Sequence, residues 1–218
     1  MKKLLLILSL FLLFSFHQQN YAFKIGRLQY DGSGDWYANE TSLPNLIAFA
    51  NKQLGTKIAP KEDHIKPSST NIFNYPYIHM TGHGNVVFST NDAQNLRKYL
   101  TSGGFLHIDD NYGMDPFVRL EMKKVFPELG FVEVPFDHAI YHQQYHFPKG
   151  LPKIHEHDNN PAQGLALIWE GKVVCFYSYE SDLGDGWEDQ GVHNDPEHLR
   201  KQALQMGANI LSYAFNGE

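Results

Sequence analysis

Residues 77–111, YIHMTGHGNVVFSTNDAQNLRKYLTSGGFLHIDDN, decide how this chain folds. Tyr77 to Met80 is a short apolar run stopped by Thr81-Gly82-His83-Gly84-Asn85, and Gly103-Gly104 launches a second run, Phe105 to Ile108, that ends on Asp109-Asp110-Asn111. Between them Ser89 has the chemistry of an N-cap, and Leu96, Tyr99 and Leu100 share one face at helical spacing. Strand, helix, strand is a βαβ unit, so the two strands are expected to be parallel and both polar loops to lie at one edge of the sheet. The carboxyl edge of a parallel sheet is where open α/β folds bind ligands.

Upstream, Lys24 to Tyr30 reads as a first strand that empties into Asp31-Gly32-Ser33-Gly34-Asp35-Trp36-Tyr37. This G-x-G is not a dinucleotide fingerprint: Tyr37 stands where the third glycine belongs, and Asp31 and Asp35 would repel a pyrophosphate. Leu43 to Leu54 is a predicted helix with Ser42 as cap, Pro44 in its first turn and Gly55 as its stop. Ile58-Ala59-Pro60 reads as a short extended piece, followed by a connecting loop with Pro67 and Pro76. Downstream, a helix is expected over Pro116 to Phe126, capped by Asp115, and a short strand over Phe131 to Pro135. Leu165 to Trp169 and Val173 to Tyr179, joined by Glu170-Gly171-Lys172, read as an antiparallel hairpin at the sheet edge. The loop 181–189, SDLGDGWED, and a helix over Pro196 to Phe215 capped by Asp195 complete the chain, with Leu199, Ala203, Met206, Ile210 and Leu211 on one helical face.

With 218 residues, 42% hydrophobic and 19% charged, the chain is long enough for one medium α/β domain with a sizeable core. Met1-Lys2-Lys3 followed by the apolar stretch Leu4 to Phe16 fits a secretory signal, too short to span a bilayer comfortably. Residues 1–22 are read as that signal, with cleavage after Ala22, and 23–218 as the domain, exported to the periplasm or cell envelope. No stable membrane insertion is expected beyond the signal segment. Without residues 1–22, 16 basic residues face 24 acidic ones, a net charge of −8. So acidic a chain, with no basic stripe, is a poor match for nucleic acid or anionic membrane. The single cysteine, Cys175, lies in an apolar strand and reads as a small buried thiol.

Four loops share one description: 31–37, 81–85, 109–113 and 181–189 each follow a strand and carry acids, histidine, glycine or tryptophan. If their strands are parallel neighbours, Asp31, Asp35, His83, Asp109, Asp110, Asp182 and Asp185 converge on one crevice. Trp36 and Trp187 would add flat rings suited to stacking on a sugar. Eight of the twelve histidines lie between His79 and His157. His155 and His157, an H-x-H on an extended segment, put both rings on one face, half of a site for a divalent metal, the one cofactor the sequence suggests. His138, His142 and His146 would line up if their segment were helical. No G-x-S-x-G elbow is present; His83, between two glycines, has the chemistry of a general base or acid beside Asp109 or Asp110.

DGSGDWY, YPYIHMTGHGNVVFS, GGFLHIDDNYGMD, LPKIHEHD and SDLGDGWED together resemble the bacterial domain of unknown function 4159 family, in order and over nearly the whole of residues 23–214. The resemblance implies the class I glutamine amidotransferase-like fold, a flavodoxin-like three-layer sandwich. The amidotransferase cysteine elbow is absent, with His83 in a comparable loop, so thiol-based glutamine hydrolysis does not carry over. Three functions follow as expectations. The first is binding of a polar small molecule or glycan-like ligand through Asp31, Asp35, Trp36, His83, Asp109, Asp110, Asp182, Asp185 and Trp187. The second is a hydrolase using His83 with Asp109 or Asp110, aided by a metal on His155 and His157. The third is an envelope protein-interaction module.

Overall fold

Two of the apolar runs in residues 77–111 become strands buried along their entire length, β3 (Tyr77–Gly82) and β4 (Phe105–Asp110), paired in parallel from Tyr77 opposite Phe105 to Gly82 opposite Asp110. The computed structural model describes residues 21–216, so the expected signal lies, but for Tyr21 and Ala22, outside the described residues. Around this pair stand β1 (Gly26–Leu28), β2 (Asp63–Ile65), β5 (Val132–Glu133), β6 (Gln163–Trp169) and β7 (Lys172–Tyr179), in the sheet order β2-β1-β3-β4-β7-β6-β5. The first five in that order run parallel, β6 is antiparallel to β7, and β5 is antiparallel to β6. That parallel order is the flavodoxin-like one, with an antiparallel pair added at one edge.

Side-chain alternation assigns each residue of β3, β4 and β7 to one of two layers. Ile78, Met80, Leu106, Ile108, Cys175 and Tyr177 point to the layer of α2 (Thr90–Thr101) and α3 (Asp115–Val125), against Leu96, Leu100, Val118 and Met122. Tyr77, Phe105 and Phe176 point to the layer of α1 (Ser42–Leu54), α4 (Leu183–Trp187) and α6 (Glu197–Asn216), against Leu46, Trp187, Met206 and Ile210. A four-residue helix, α5 (Gln190–His193), joins α4 to α6. Gly104 is required where α2 turns into β4, because a Cβ there would meet the Tyr99 ring at 2.2 Å.

Ser89 does cap α2, in a reciprocal box: its hydroxyl accepts from Asp92 N at 3.1 Å, and Asp92 Oδ2 accepts from Ser89 N at 3.0 Å. Ser89→Ala is therefore expected to lower stability by about 1 kcal/mol, a fall in Tm of roughly 2–4 °C for a domain of this size by thermal melting. Gly55, at φ 67°, ends α1 in the left-handed region as its position predicts.

Several local expectations give way to tertiary contacts. The segment 138–146 is not a helix: Ala139–Tyr141 makes one 3-10 turn, and Asn209 of α6 then accepts from Gln144 N and Tyr145 N, both at 2.9 Å. The loop 181–189 contains α4. Asp115 does not cap α3; Met114 is the N-cap, and its N–H goes to Asp110 Oδ1 at 3.0 Å. Thr41, not Ser42, is the N-cap of α1. Asp195 gives its carboxylate to His155 rather than capping α6. A strand, β2, forms in what reads as a connecting loop, because the edge beside β1 offers Asp63 to Ile65 a parallel ladder.

Candidate functional site

Because β1, β3, β4 and β7 are parallel neighbours, the segments that follow them leave from one edge of the sheet. The antiparallel β6 begins at that same edge, with Gln163 opposite Tyr179. Its lead-in, residues 152–162, therefore reaches the carboxyl edge from the other direction and delivers His155 and His157 there.

Beneath this edge runs a chain of buried polar groups on the α4 side of the sheet. Tyr77 donates its hydroxyl to His107 Nδ1 at 2.9 Å, and His79 Nδ1 lies 3.2 Å from the same nitrogen. With Nδ1 accepting, His107 donates from Nε2 to Ser178 Oγ at 2.9 Å, and Ser178 donates onward to Asp109 Oδ1. Asp109 also accepts from Leu183 N at 3.3 Å and Gly184 N at 2.6 Å, so it pins the start of α4. Burial pushes the Asp109 carboxyl well above the usual carboxylate range, against the pull of Ser178 and Gly184. Burial pushes His107 down to about 3, and His79 well below an ordinary histidine.

Above Asp109, α4 presents Asp185 to three other segments. Asn39, after β1, donates to Asp185 Oδ1 at 2.8 Å; His155 Nδ1 lies 2.9 Å from Oδ2; His193 of α5 lies 3.7 Å from Oδ1. His155 turns its Nε2 to Asp195 Oδ1 at 2.9 Å, and His157 Nε2 meets Asp182 Oδ2 at 2.6 Å. Asn39 and Asn111 exchange hydrogen bonds at 2.8 and 3.4 Å, tying the β1 and β4 loops together. The hydrogen bond to Asp185, reinforced by Asp195 and opposed by burial, raises His155 to about 9. Burial, with Asp185 adding repulsion, lifts Asp182 to about 7. For Asp185 burial pulls upward but is overcome by His155 and His193, and the carboxyl sits below its ordinary value.

Backbone strain gathers at the same place. Asn39 (φ 60°), Tyr112 (φ 84°), Glu180 (φ 58°), Asp182 (φ 56°) and Asn194 (φ 59°) all occupy the left-handed region, which asparagine and aspartate tolerate and which is costly for tyrosine and glutamate. Tyr112 lays its half-exposed ring on His157, with centroids 4.4 Å apart and planes 26° apart.

The residues named from sequence fall into separate places. Asp109, Asp182, Asp185, His155 and His157 come together. His83 is paired not with Asp109 or Asp110 but with Asp35, at 3.0 Å from Nδ1 to Oδ2, at the β1/β3 switch point. Asp110, one residue from Asp109, faces the opposite layer, where it accepts from Met114 N and, at 3.2 Å, from Tyr177 OH. Asp31 is exposed and joins Val87 through its backbone. Trp36 packs edge-on to Tyr37 and His64. Trp187 corrects the expectation of a stacking ring: it is fully buried, its indole N–H donates to Ala203 O at 2.8 Å, and no ligand can reach it.

A cleft of about 610 Å³ lies beside the acid and histidine cluster rather than over it, walled by Tyr37, Glu40, Pro44, Pro60 and His64. Converging hydrogen bonds and left-handed backbone gather around Asp185 rather than around that cleft. As site residues, sequence reasoning passed over Asn39, Tyr112, Glu188 and His193, and read Asp195 only as a helix cap. His193 had one available signal, its place shortly after an acidic loop.

No curated protein matches the chain. A family model does match, over residues 24–215, so the chain belongs to the family described as Domain of unknown function (DUF4159).

Proposed function

We propose that this domain is an exported binding domain for a polar small molecule rich in hydrogen-bond donors, a sugar or an amine-bearing compound, held at the carboxyl edge over Asp185. The segment 1–22 would deliver it to the cell envelope. The observation that carries the reading is the meeting of four chain segments on Asp185, through Asn39, His155, His193 and α4 itself. Ionised carboxylates only accept hydrogen bonds, so a partner for this crevice brings hydroxyl or ammonium groups. Tyr112, outside it, offers the exposed ring face that Trp187 does not.

A second reading, a hydrolase with His83 as general base, draws on the Asp35–His83 pair: a carboxylate on Nδ1 leaves Nε2 free to accept a proton. Asp35 would then be the carboxylate beside His83, in place of Asp109 or Asp110.

The binding reading is tested by thermal melting, in buffer containing a chelator, against hexoses, amino sugars and diamines. A true ligand at about a hundred times its Kd is expected to stabilise by about 2.7 kcal/mol, or roughly 5–10 °C. Asp185→Asn is expected to abolish that shift while the protein stays folded. If no compound moves Tm, or the shift survives Asp185→Asn, the reading is wrong.

A further inference from the structure

We propose that the crevice is a metal centre in which His155 Nδ1, a carboxylate oxygen of Asp185 and His193 Nε2 ligate a divalent transition-metal ion. The inference rests on the crevice being the functional site, and on no particular organic ligand.

One donor atom from each of these residues lies within 4.8 Å of the other two. Nitrogen and oxygen ligands about 2.1 Å from a common ion stand at most about 4.2 Å apart, so the observed set closes on an ion with small side-chain rotations. Two features go beyond a chance meeting of acids and imidazoles. Asp195 holds His155 Nε2 at 2.9 Å, which fixes the ring with Nδ1 turned toward Asp185. A carboxylate on the far nitrogen is the usual support of a metal-ligating histidine. The second feature is Asp182, 1% exposed, whose carboxylate lies 3.8 Å from His155 Nδ1. Its Oδ1 is buried without a hydrogen-bond partner among the described residues, and so is Asp195 Oδ2. Buried acceptors left over on two carboxylates in contact with His155 are what a nearby cation would compensate.

Without an ion the same atoms make an ion-pair network, in which His193 Nε2 rests 3.1 Å from Glu188 Oε2. Ligation replaces the His155–Asp185 contact and turns His193 from Glu188 to the metal. The His193 side chain is 30% exposed, so the centre opens to solvent and keeps positions for water or a ligand oxygen. Two imidazoles with one carboxylate suit zinc, cobalt or nickel rather than magnesium or calcium.

The test is calorimetric titration of chelator-stripped protein with zinc chloride alone. It is expected to show one equivalent bound with a Kd below about 10 µM. His193→Ala and Asp185→Asn are each expected to weaken binding at least about tenfold, and Asp195→Asn, which touches no metal, by about ten- to a hundredfold. His142 and His146, whose rings stand 4.4 Å apart, are the control pair, and their double alanine variant is expected to bind as the parent does. Melting curves establish that each variant is folded. Absence of binding to zinc, nickel and cobalt overturns the proposal, as does affinity that is unchanged in His193→Ala or lost in the His142/His146 variant. A flat titration together with a chelator-resistant sugar or amine shift removes the metal and keeps the binding function; zinc binding without any such shift does the reverse.

Discussion

Asp109→Ala is expected to lower the unfolding free energy by about 3–5 kcal/mol, because it strands the buried donors of Leu183, Gly184 and Ser178, each costing about 1–3 kcal/mol when unpaired. Ser178 recovers part of its loss by donating to Ile108 O at 3.2 Å, and removing a buried carboxyl gives back some desolvation, so the total falls short of three full penalties. The neighbouring Asp110→Asn keeps one acceptor oxygen for Met114 N and is expected to cost about 1–2 kcal/mol. Urea unfolding of both variants checks the contrast. Equal, small losses would mean that Asp109 does not anchor α4. Since α4 carries Asp185, the Asp109 variant is also expected to lose the binding behaviour of the crevice, even at temperatures where it remains folded.

Acid is expected to unfold the protein through His79 and His107. Both are fully buried, and His107 is held at about 3 against an ordinary 6.5. Between those values the unfolded chain binds the proton and the folded chain does not, so stability is lost as pH falls from 6.5 toward 3. The slope is about 1.4 kcal/mol per pH unit for one imidazole, reaching about 5 kcal/mol at the acid end. His79 adds in the same direction, pushed down by burial, by His107 beside it and by Arg27. Asp109, Asp110 and Asp182 oppose them: their raised folded values mean stability is lost as pH rises through them, for Asp182 up to about 7. The measured curve is thus a difference, and His107→Gln isolates one member. The variant is expected to be less stable than the parent at pH 7, and that gap is expected to close by about 1.4 kcal/mol per pH unit on acidification below 6. Parallel curves for parent and variant would show that His107 is not held neutral.

Residues 77–111 carried the fold because each local signal agreed: apolar runs of strand length, a capping serine three residues before an acid, and glycines where the chain must turn. His79, His107 and Asp109, within that stretch, were visible as residues, but their burial was not. Period-2 alternation places Asp109 and Asp110 on opposite faces wherever the strand lies; which face meets α4 depends on what packs there. The histidine spacing of 138–146 leaves open whether that segment is helical; it is not, because Asn209, more than sixty residues away, takes the backbone N–H groups of Gln144 and Tyr145.

The sequence by itself determined a βαβ core, a mainly parallel sheet with an antiparallel edge, and a polar carboxyl edge rich in acids. These follow from periodicity, capping and turn chemistry, which act within a few residues. Only the tertiary structure decided that Trp187 is core, that His83 belongs to Asp35, and that His155 and His193 meet on Asp185. The first and last of these depend on the reversed direction of β6 and on the packing of α4 between Asp109 and α6, and the His83–Asp35 pair on β1 and β3 being neighbours. Such long-range geometry is set by the burial of whole layers, and no local pattern of residues records it.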